Sequence, residues 1–358
     1  MKQLLQWSII FPTLAWLLLF SGYIDNNWAF QVLATVLLLF SVMSAVHHSE
    51  IIAHRVGEPY GTIILAIAIT IIEVSIIISL MISGGDEAVS LARDTVYSAT
   101  MLILNGIIGL CLFIGGLKYH EQNFSKHSAT IALVCLVSIV VLTLVFPSFT
   151  TSIRGPFYSS AQMFFVAGAC LTIYAFFLIA QTTRHRNYFL AGNEEVKEKT
   201  AHPVKISKSM LFISLVFLLV SLGIVVLLAK KLSPTIEQIV VANQLPKALV
   251  GVIIAGVILL PEGIAAVMAA RKNQLQTSLN LALGSALASI ALTIPAVSIA
   301  CNILKMDVAL GLDIKSMILL ALSVFIVMLS LASGRTNIVY GVVLLINLLA
   351  FVFLIIFP

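Results

Sequence analysis

The sequence predicts an all-α integral membrane protein of about eleven transmembrane helices, arranged as one leading helix and two five-helix repeats of inverted topology. Three observations predict it. The 358-residue chain is 60% hydrophobic and only 10% charged, with a mean hydropathy of +1.11, more apolar surface than one soluble core could hide. Apolar runs of the length a helix needs to cross a hydrocarbon core, about 20 residues, recur between short polar connections. The longest polar stretch, 182–208, leaves six runs before it and five after it.

The first run, 6–22, is preceded by one basic side chain, Lys2. It passes through Ser21-Gly22-Tyr23 without a small-residue cleavage site, so 1–27 reads as a retained leading helix rather than a signal peptide. The first repeat, 28–181, then holds runs at 28–48, 60–83, 97–117, 127–147 and 158–181. The linker 182–208 contains Gly192-Asn193 and His202-Pro203, both helix-breaking pairs. The second repeat, 209–358, holds runs at 209–229, 247–270, 278–301, 312–332 and 336–357. Five is odd, so the second repeat enters the membrane from the side opposite to the first.

Charge sets the orientation. Thirteen of the 20 Lys and Arg fall on the N-terminal side of this topology and seven on the other. Arg184, Arg186, Lys197, Lys199, Lys205 and Lys208 of the linker contribute most. Basic loops stay in the cytoplasm, which puts the N-terminus and the linker inside and Pro358 outside a multi-pass cell-membrane protein. The net charge of +5 is thereby explained by topology, and the basic residues form no stripe that would take nucleic acid; membrane lipid is the expected surrounding. Cys111, Cys135, Cys170 and Cys301 lie within or at the ends of apolar runs, without disulfide or zinc-ligand spacing.

Of the 15 acidic residues, thirteen lie in loops or at the ends of runs, and two do not. Glu73 and Glu262 each occupy the second helix of a repeat, about equally far from its start, near the bilayer centre. No Lys or Arg falls deep in any run. A carboxylate at that depth costs about 2.5–3.5 kcal/mol to insert, and burial favours its protonated form. Such a glutamate can serve simply as a hydrogen-bond donor between helices. Two symmetry-related copies point instead to groups that hold protons or release them to bind a metal cation, a competition that makes occupancy mutually exclusive.

Further polar residues fall on the same helices. Pro261 precedes Glu262 and removes a backbone N–H, freeing the carbonyl near Val257 for a cation or merely kinking the helix. Thr70 and Ser75 offer hydroxyl oxygen near Glu73, and Asn105, Ser285 and Ser289 lie in the span after each glutamate helix; each reads as a pathway or coordinating group, or as a packed polar side chain. His47, Glu50 and His54, at i, i+3 and i+7, and Glu194 and Glu195 in the linker read as regulatory groups or as solvated surface. No H-E-x-x-H, G-x-S-x-G, Walker A or G-x-G-x-x-G pattern occurs, so neither an enzyme nor an ATP-driven pump is expected, and no cofactor.

The segments AHRVGEPYG at 53–61, LARDTVYS at 91–98, LLPEGIAAVMAARKNQ at 259–274, NLALGSALASIALTIP at 280–295 and SGRTN at 333–337 resemble the calcium/proton exchanger family, and within it the bacterial ChaA-type calcium (sodium, potassium)/proton antiporters. The resemblance covers nearly the whole chain. It implies an inverted-repeat fold with the helix pairs 60–117 and 247–301 as ion-binding core, Glu73 and Glu262 as its acidic residues, and export of Ca²⁺, or of Na⁺ or K⁺, against H⁺. Where typical eukaryotic-like members carry a Gly-Asn pair before each glutamate, this chain has Ile69-Thr70 and Ile258-Leu259, which implies a site leaning on backbone carbonyls and water. The alternative is a cation channel lined by the same glutamates.

Overall fold

The computed structural model describes residues 2–25, 27–56, 60–189, 207–242, 246 and 248–357. Each of the eleven expected runs is helical. In chain order the helices are α1 (Lys2–Ser21), α2 (Trp28–Val56), α3 (Tyr60–Gly84), α4 (Leu91–Met101), α5 (Ile108–Tyr119), α6 (Lys126–Val140), α7 (Ser160–Ile179), α8 (Arg186–Phe189), α9 (Lys208–Ala242), α10 (Ala248–Arg271), α11 (Leu275–Leu304), α12 (Ile314–Leu331) and α13 (Ile338–Ile356). A π-helical turn, Leu102–Ile107, joins α4 to α5 into one span. Among the described residues ten helical stretches are long and apolar enough to cross a membrane, and Trp7–Ser21 is a shorter apolar helix. The protein is a multi-pass, all-α membrane protein.

Three helix ends depart from the hydropathy reading, for one reason: hydropathy marks where lipid ends, whereas a helix ends where its hydrogen bonds do. Helix α9 runs to Ala242 rather than 229, carrying Lys230, Lys231 and Pro234 within it. Helix α2 continues from 48 to Val56. Helix α4 starts at Leu91, six residues before the apolar run at 97, because Arg93 and Asp94 neutralise one another at 2.8 Å within its first turn.

The helices pack as two units. One comprises α1, α2, α3 and α9; the other comprises α4 to α8 and α10 to α13. This division cuts across the expected repeats. Packing and repetition are separate properties, since a repeat relates sequence and direction and not nearest neighbours.

In the first unit, Ala15, Leu18, Leu37, Ile224 and Leu228 form a buried cluster. Lipid tails are as apolar as these side chains, so polar and small residues add the specificity. The Ser44 hydroxyl donates to the Ser8 carbonyl and shares a 3.1 Å hydrogen bond with the Ser221 hydroxyl, and the Trp16 indole donates to the Val220 carbonyl at 3.1 Å, tying α1, α2 and α9 together.

In the second unit, α10 lies along the α4–α5 span and runs parallel to it. Gly251 packs on the Asp94–Thr95 backbone, Gly263 on Ile107, and the carbonyls of Ala270 and Arg271 accept from Gln122, Lys118 and Tyr119. Parallel neighbours four spans apart are what a chain that reverses direction at every crossing must give. At one end of this unit the connections after α6 and before α12 meet: Leu312 N–H donates to the Leu144 carbonyl at 2.8 Å and Leu310 N–H to the Pro156 carbonyl at 3.0 Å. The Arg93 guanidinium fixes that loop through the Gly311 carbonyl at 3.0 Å. At the other end Gln122–Asn123 and Arg335–Thr336 form a two-residue antiparallel ribbon.

Candidate functional site

Glu73 sits on the protein-facing stripe of α3. Ala66, Thr70, Glu73, Ile77 and Leu80 recur at the helical period and are all buried, with Glu73 only 2% exposed. Ile67, Ile71 and Ile82 occupy the opposite, exposed face. The helix is apolar all round, so hydropathy alone could not say which face carries the glutamate toward protein; packing against α2 and α9 decides it. One turn earlier on the same stripe, the Thr70 hydroxyl donates to the Ala66 carbonyl at 2.8 Å. That bond uses its hydrogen and leaves the oxygen lone pairs to accept a proton donor or meet a cation. Ser75 is half-buried. Ser79, two turns on from the Thr70–Glu73 level, is buried and its hydroxyl has no hydrogen-bond partner among the described residues.

Glu262 belongs to the second unit. Its helix is continuous through Pro261, and both carboxylate oxygens are shielded from solvent. Three successive contacts with the α4–α5 span fix its height and rotation. A Cβ on Gly251 would lie 2.8–3.0 Å from the Asp94–Thr95 backbone, Gly263 meets Ile107, and the C-terminal carbonyls are tied down by Lys118 Nζ at 2.9 Å and Tyr119 OH at 2.8 Å on Arg271 and by Gln122 Nε2 at 3.1 Å on Ala270. Cationic and hydroxyl donors at that end also complement the negative end of the helix dipole.

Asn105 lies in the π-helical turn, two residues from the Ile107 that touches Gly263. It is fully buried. Its amide donates to the Ser323 hydroxyl at 2.9 Å and to the Met101 carbonyl at 3.3 Å, while its Oδ1 has no partner among the described residues. A π turn widens the helix by one residue and often marks a functional site, because it interrupts the regular ladder without a proline. Ser285, half-buried, and Ser289 and Thr293, both buried, follow one another at four-residue spacing on α11, which packs on α10. Asn105, Ser285 and Ser289 thus share a unit with Glu262, whereas Thr70 and Ser75 share one with Glu73.

The remaining expected residues are dispersed. His47 is half-buried with its ring 5.6 Å from Trp7, Glu50 is exposed, and the His54 side chain, like Glu194 and Glu195, lies outside the described residues. The more buried histidine is the neighbour, His48, stacked on Phe217 with centroids 5.7 Å apart. No cluster of three or more His, Cys, Asp or Glu suited to a metal occurs among the described residues.

Sequence reasoning missed Ser323 as the partner of Asn105, and the Lys118–Gln122 clamp on α10. It also missed the structural roles of the motif segments. Arg93 and Asp94 of LARDTVYS brace a loop, with Ser90 Oγ on Asp94 at 2.9 Å, and Asn337 of SGRTN accepts from the Val339 N–H to cap α13. Asn273 of the α10 motif receives the Gln122 amide at 3.0 Å. For Lys118, Gln122, Arg93, Asp94 and Asn337 the signal in the sequence was a polar residue at or beyond the border of an apolar run, whereas Ser323 lies in the middle of one.

With this geometry in hand, known proteins give the family. A sodium/calcium exchanger protein family description matches residues 26–183 and 213–357. The chain is 42% identical over 319 residues, 89% of its own length and 86% of the other, to y4hA of Sinorhizobium fredii, named for ionic transport. It is 33% identical over 339 residues, 93% of its length and 92% of the other, to the sodium-potassium/proton antiporter ChaA of Escherichia coli. The solved structure of the H⁺/Ca²⁺ exchanger CAX shares the fold, with a TM-score of 0.71 over 99% of this chain and 89% of that one at 16% identity. The chain belongs to the sodium/calcium exchanger protein family.

Proposed function

We propose that this protein exports a cytoplasmic cation in exchange for protons, with Glu73 and Glu262 holding proton and cation in turn. The observation that carries the reading is the burial of Glu73, 2% exposed on the protein-facing stripe of a predominantly apolar helix, one turn after a Thr70 whose hydroxyl hydrogen is already committed. As an anion such a group is costly in a membrane; with a proton, or with a cation beside it, the cost is largely removed. The cation can enter only as the proton leaves, and the two fluxes are coupled.

Glu262 is the second such group in this reading, its carboxylate oxygens hidden from solvent. The family description matches the chain twice, at 26–183 and 213–357, which supports the reading of two repeats whose second helices carry the two glutamates. Ca²⁺ is the first cation to test. Thr70 and Leu259 stand where an asparagine precedes each glutamate in typical eukaryotic-like exchangers, so oxygen from backbone and water has the larger share and Na⁺ or K⁺ is also carried. The Escherichia coli relative, a sodium-potassium/proton antiporter, supports including both. The basic loops put the N-terminus in the cytoplasm and the C-terminus outside.

The test is ion flux in proteoliposomes with a lumenal pH reporter, run with Ca²⁺, Na⁺ and K⁺. Exchange moves protons opposite to the cation at a fixed ratio, and Glu73→Gln and Glu262→Gln each abolish both fluxes. Cation flux without compulsory proton movement would make the protein a channel, and full exchange by either variant would overturn the roles given to the glutamates.

A further inference from the structure

Away from both glutamates, the second unit contains a cavity of about 530 Å³ between α7, α11 and the connections that meet beyond them. That volume is within the range of sites for small organic ligands, about 300–1,000 Å³. Its charged lining is Arg154, Lys305 and Asp307. None of the three makes an ion pair or a hydrogen bond through its side chain among the described residues, although they border one space. Lys305 is fixed there by the backbone, since it ends α11 in the left-handed conformation at φ 56°.

Tyr158, Ser160, Ser298 and Asn302 add neutral polar groups to the lining, and Phe164 and Ile299 give it an apolar, exposed flank. Phe164 on α7 is 60% exposed and Ile299 on α11 is 48% exposed, and Ile303, one turn further along the Ile299 face, is 74% exposed. Side chains of this kind, near the end of a membrane-spanning helix, face acyl chains rather than water. The cavity therefore joins a polar pocket at the headgroup level to an apolar flank below it. We propose that it holds one membrane phospholipid of the ethanolamine type. Arg154 and Lys305 meet the phosphate, Asp307 accepts from the primary ammonium, and the acyl chains lie along Phe164 and Ile299.

The arrangement of charge selects this headgroup. Two cations favour a phosphate. The Asp307 carboxylate in the same lining accepts from a primary ammonium, which a glycerol headgroup lacks, and a quaternary choline has no hydrogen to donate to it. Neither glutamate of the transport reading takes part, so this site stands or falls separately from that function.

Native mass spectrometry of the intact detergent-solubilised protein, titrated with phosphatidylethanolamine, phosphatidylglycerol or phosphatidylcholine of equal chain length, tests the site. One phosphatidylethanolamine is expected to bind more tightly than either other lipid. Removing the two phosphate partners together, Arg154→Gln with Lys305→Gln, lowers its affinity by about tenfold or more, the equivalent of one lost charge-assisted hydrogen bond. Asp307→Asn lowers affinity for phosphatidylethanolamine but not for phosphatidylglycerol. All three residues are exposed loop or helix-end positions, and an unchanged unfolding midpoint shows that the variants fold. Equal or tighter binding of phosphatidylglycerol, an adduct indifferent to the double substitution, or displacement of the lipid by millimolar inorganic phosphate would each overturn the proposal.

Discussion

Replacing Gly251 by alanine isolates what holds the Glu262 helix in place. The added Cβ would lie 2.8 Å from the carbonyl carbon of Asp94 and 3.0 Å from both its oxygen and the Thr95 nitrogen, whereas ordinary contact begins at 3.4 Å. The neighbours are backbone atoms of α4, so no rotamer can relieve them and α10 must retreat by about half an ångström, the difference between those distances. Overpacking of that kind costs about 1–3 kcal/mol.

Alanine also forms helix more readily than glycine, by up to about 1 kcal/mol, which would mask part of the loss. Gly256 supplies the control, because it lies on the same helix with nothing within 4 Å of its would-be Cβ. The propensity gain is common to both substitutions and cancels in their comparison. Unfolding free energies in detergent micelles should therefore place Gly251→Ala below Gly256→Ala by about 1–3 kcal/mol, with Gly256→Ala at or above the parent. The far end of α10 stays tied by Lys118, Tyr119 and Gln122, so displacement dwindles toward Glu262 and exchange slows less than in Glu262→Gln. Equal free energies for the two alanine variants would refute the claim that backbone contact at Gly251 sets the position of this helix.

Asn105→Leu should leave stability within about 1 kcal/mol of the parent, since a hydrogen bond between membrane helices averages about 0.6 kcal/mol and Ser323 keeps its own bond to the Leu319 carbonyl. The same variant should lose most exchange activity in liposomes, because it removes the buried Oδ1 that no neighbour among the described residues uses; unchanged flux would make Asn105 a packing residue. Asp313→Ala should cost about 1 kcal/mol at neutral pH, because Asp313 caps α12 by accepting from the Ser316 N–H at 3.3 Å. Partial burial pushes that carboxyl up, but the Ser316 hydrogen bonds and the charge of Lys315 outweigh it and hold it below its ordinary 3.8. A depressed folded pKa gives stability that is present above the unfolded value and lost as pH falls through the folded one. The gap between parent and variant should accordingly close on acidification below 3.8, as read by unfolding midpoints across pH; a gap that widened there would contradict the capping role.

The sequence by itself determined the order and approximate limits of the helical runs, because the bilayer leaves only one solution for a long apolar run: a helix that satisfies its own backbone. It also singled out Glu73 and Glu262, since a carboxylate in such a run stands out by its insertion cost alone. The ends of α2, α4 and α9 escaped it because hydrogen bonding continues past the lipid boundary, and in α4 because Arg93 and Asp94 neutralise one another.

Only the tertiary structure decided which face of each helix meets protein. Helix α3 is apolar all round, so nothing in its periodicity separates the Glu73 stripe from the Ile67–Ile71 face; its neighbours do. The π turn at Asn105 and the clamp of Lys118, Tyr119 and Gln122 on α10 are likewise decided by long-range contact. In a membrane, where every face of a helix finds an apolar surrounding, hydropathy tells where a chain crosses and only packing tells what each crossing touches.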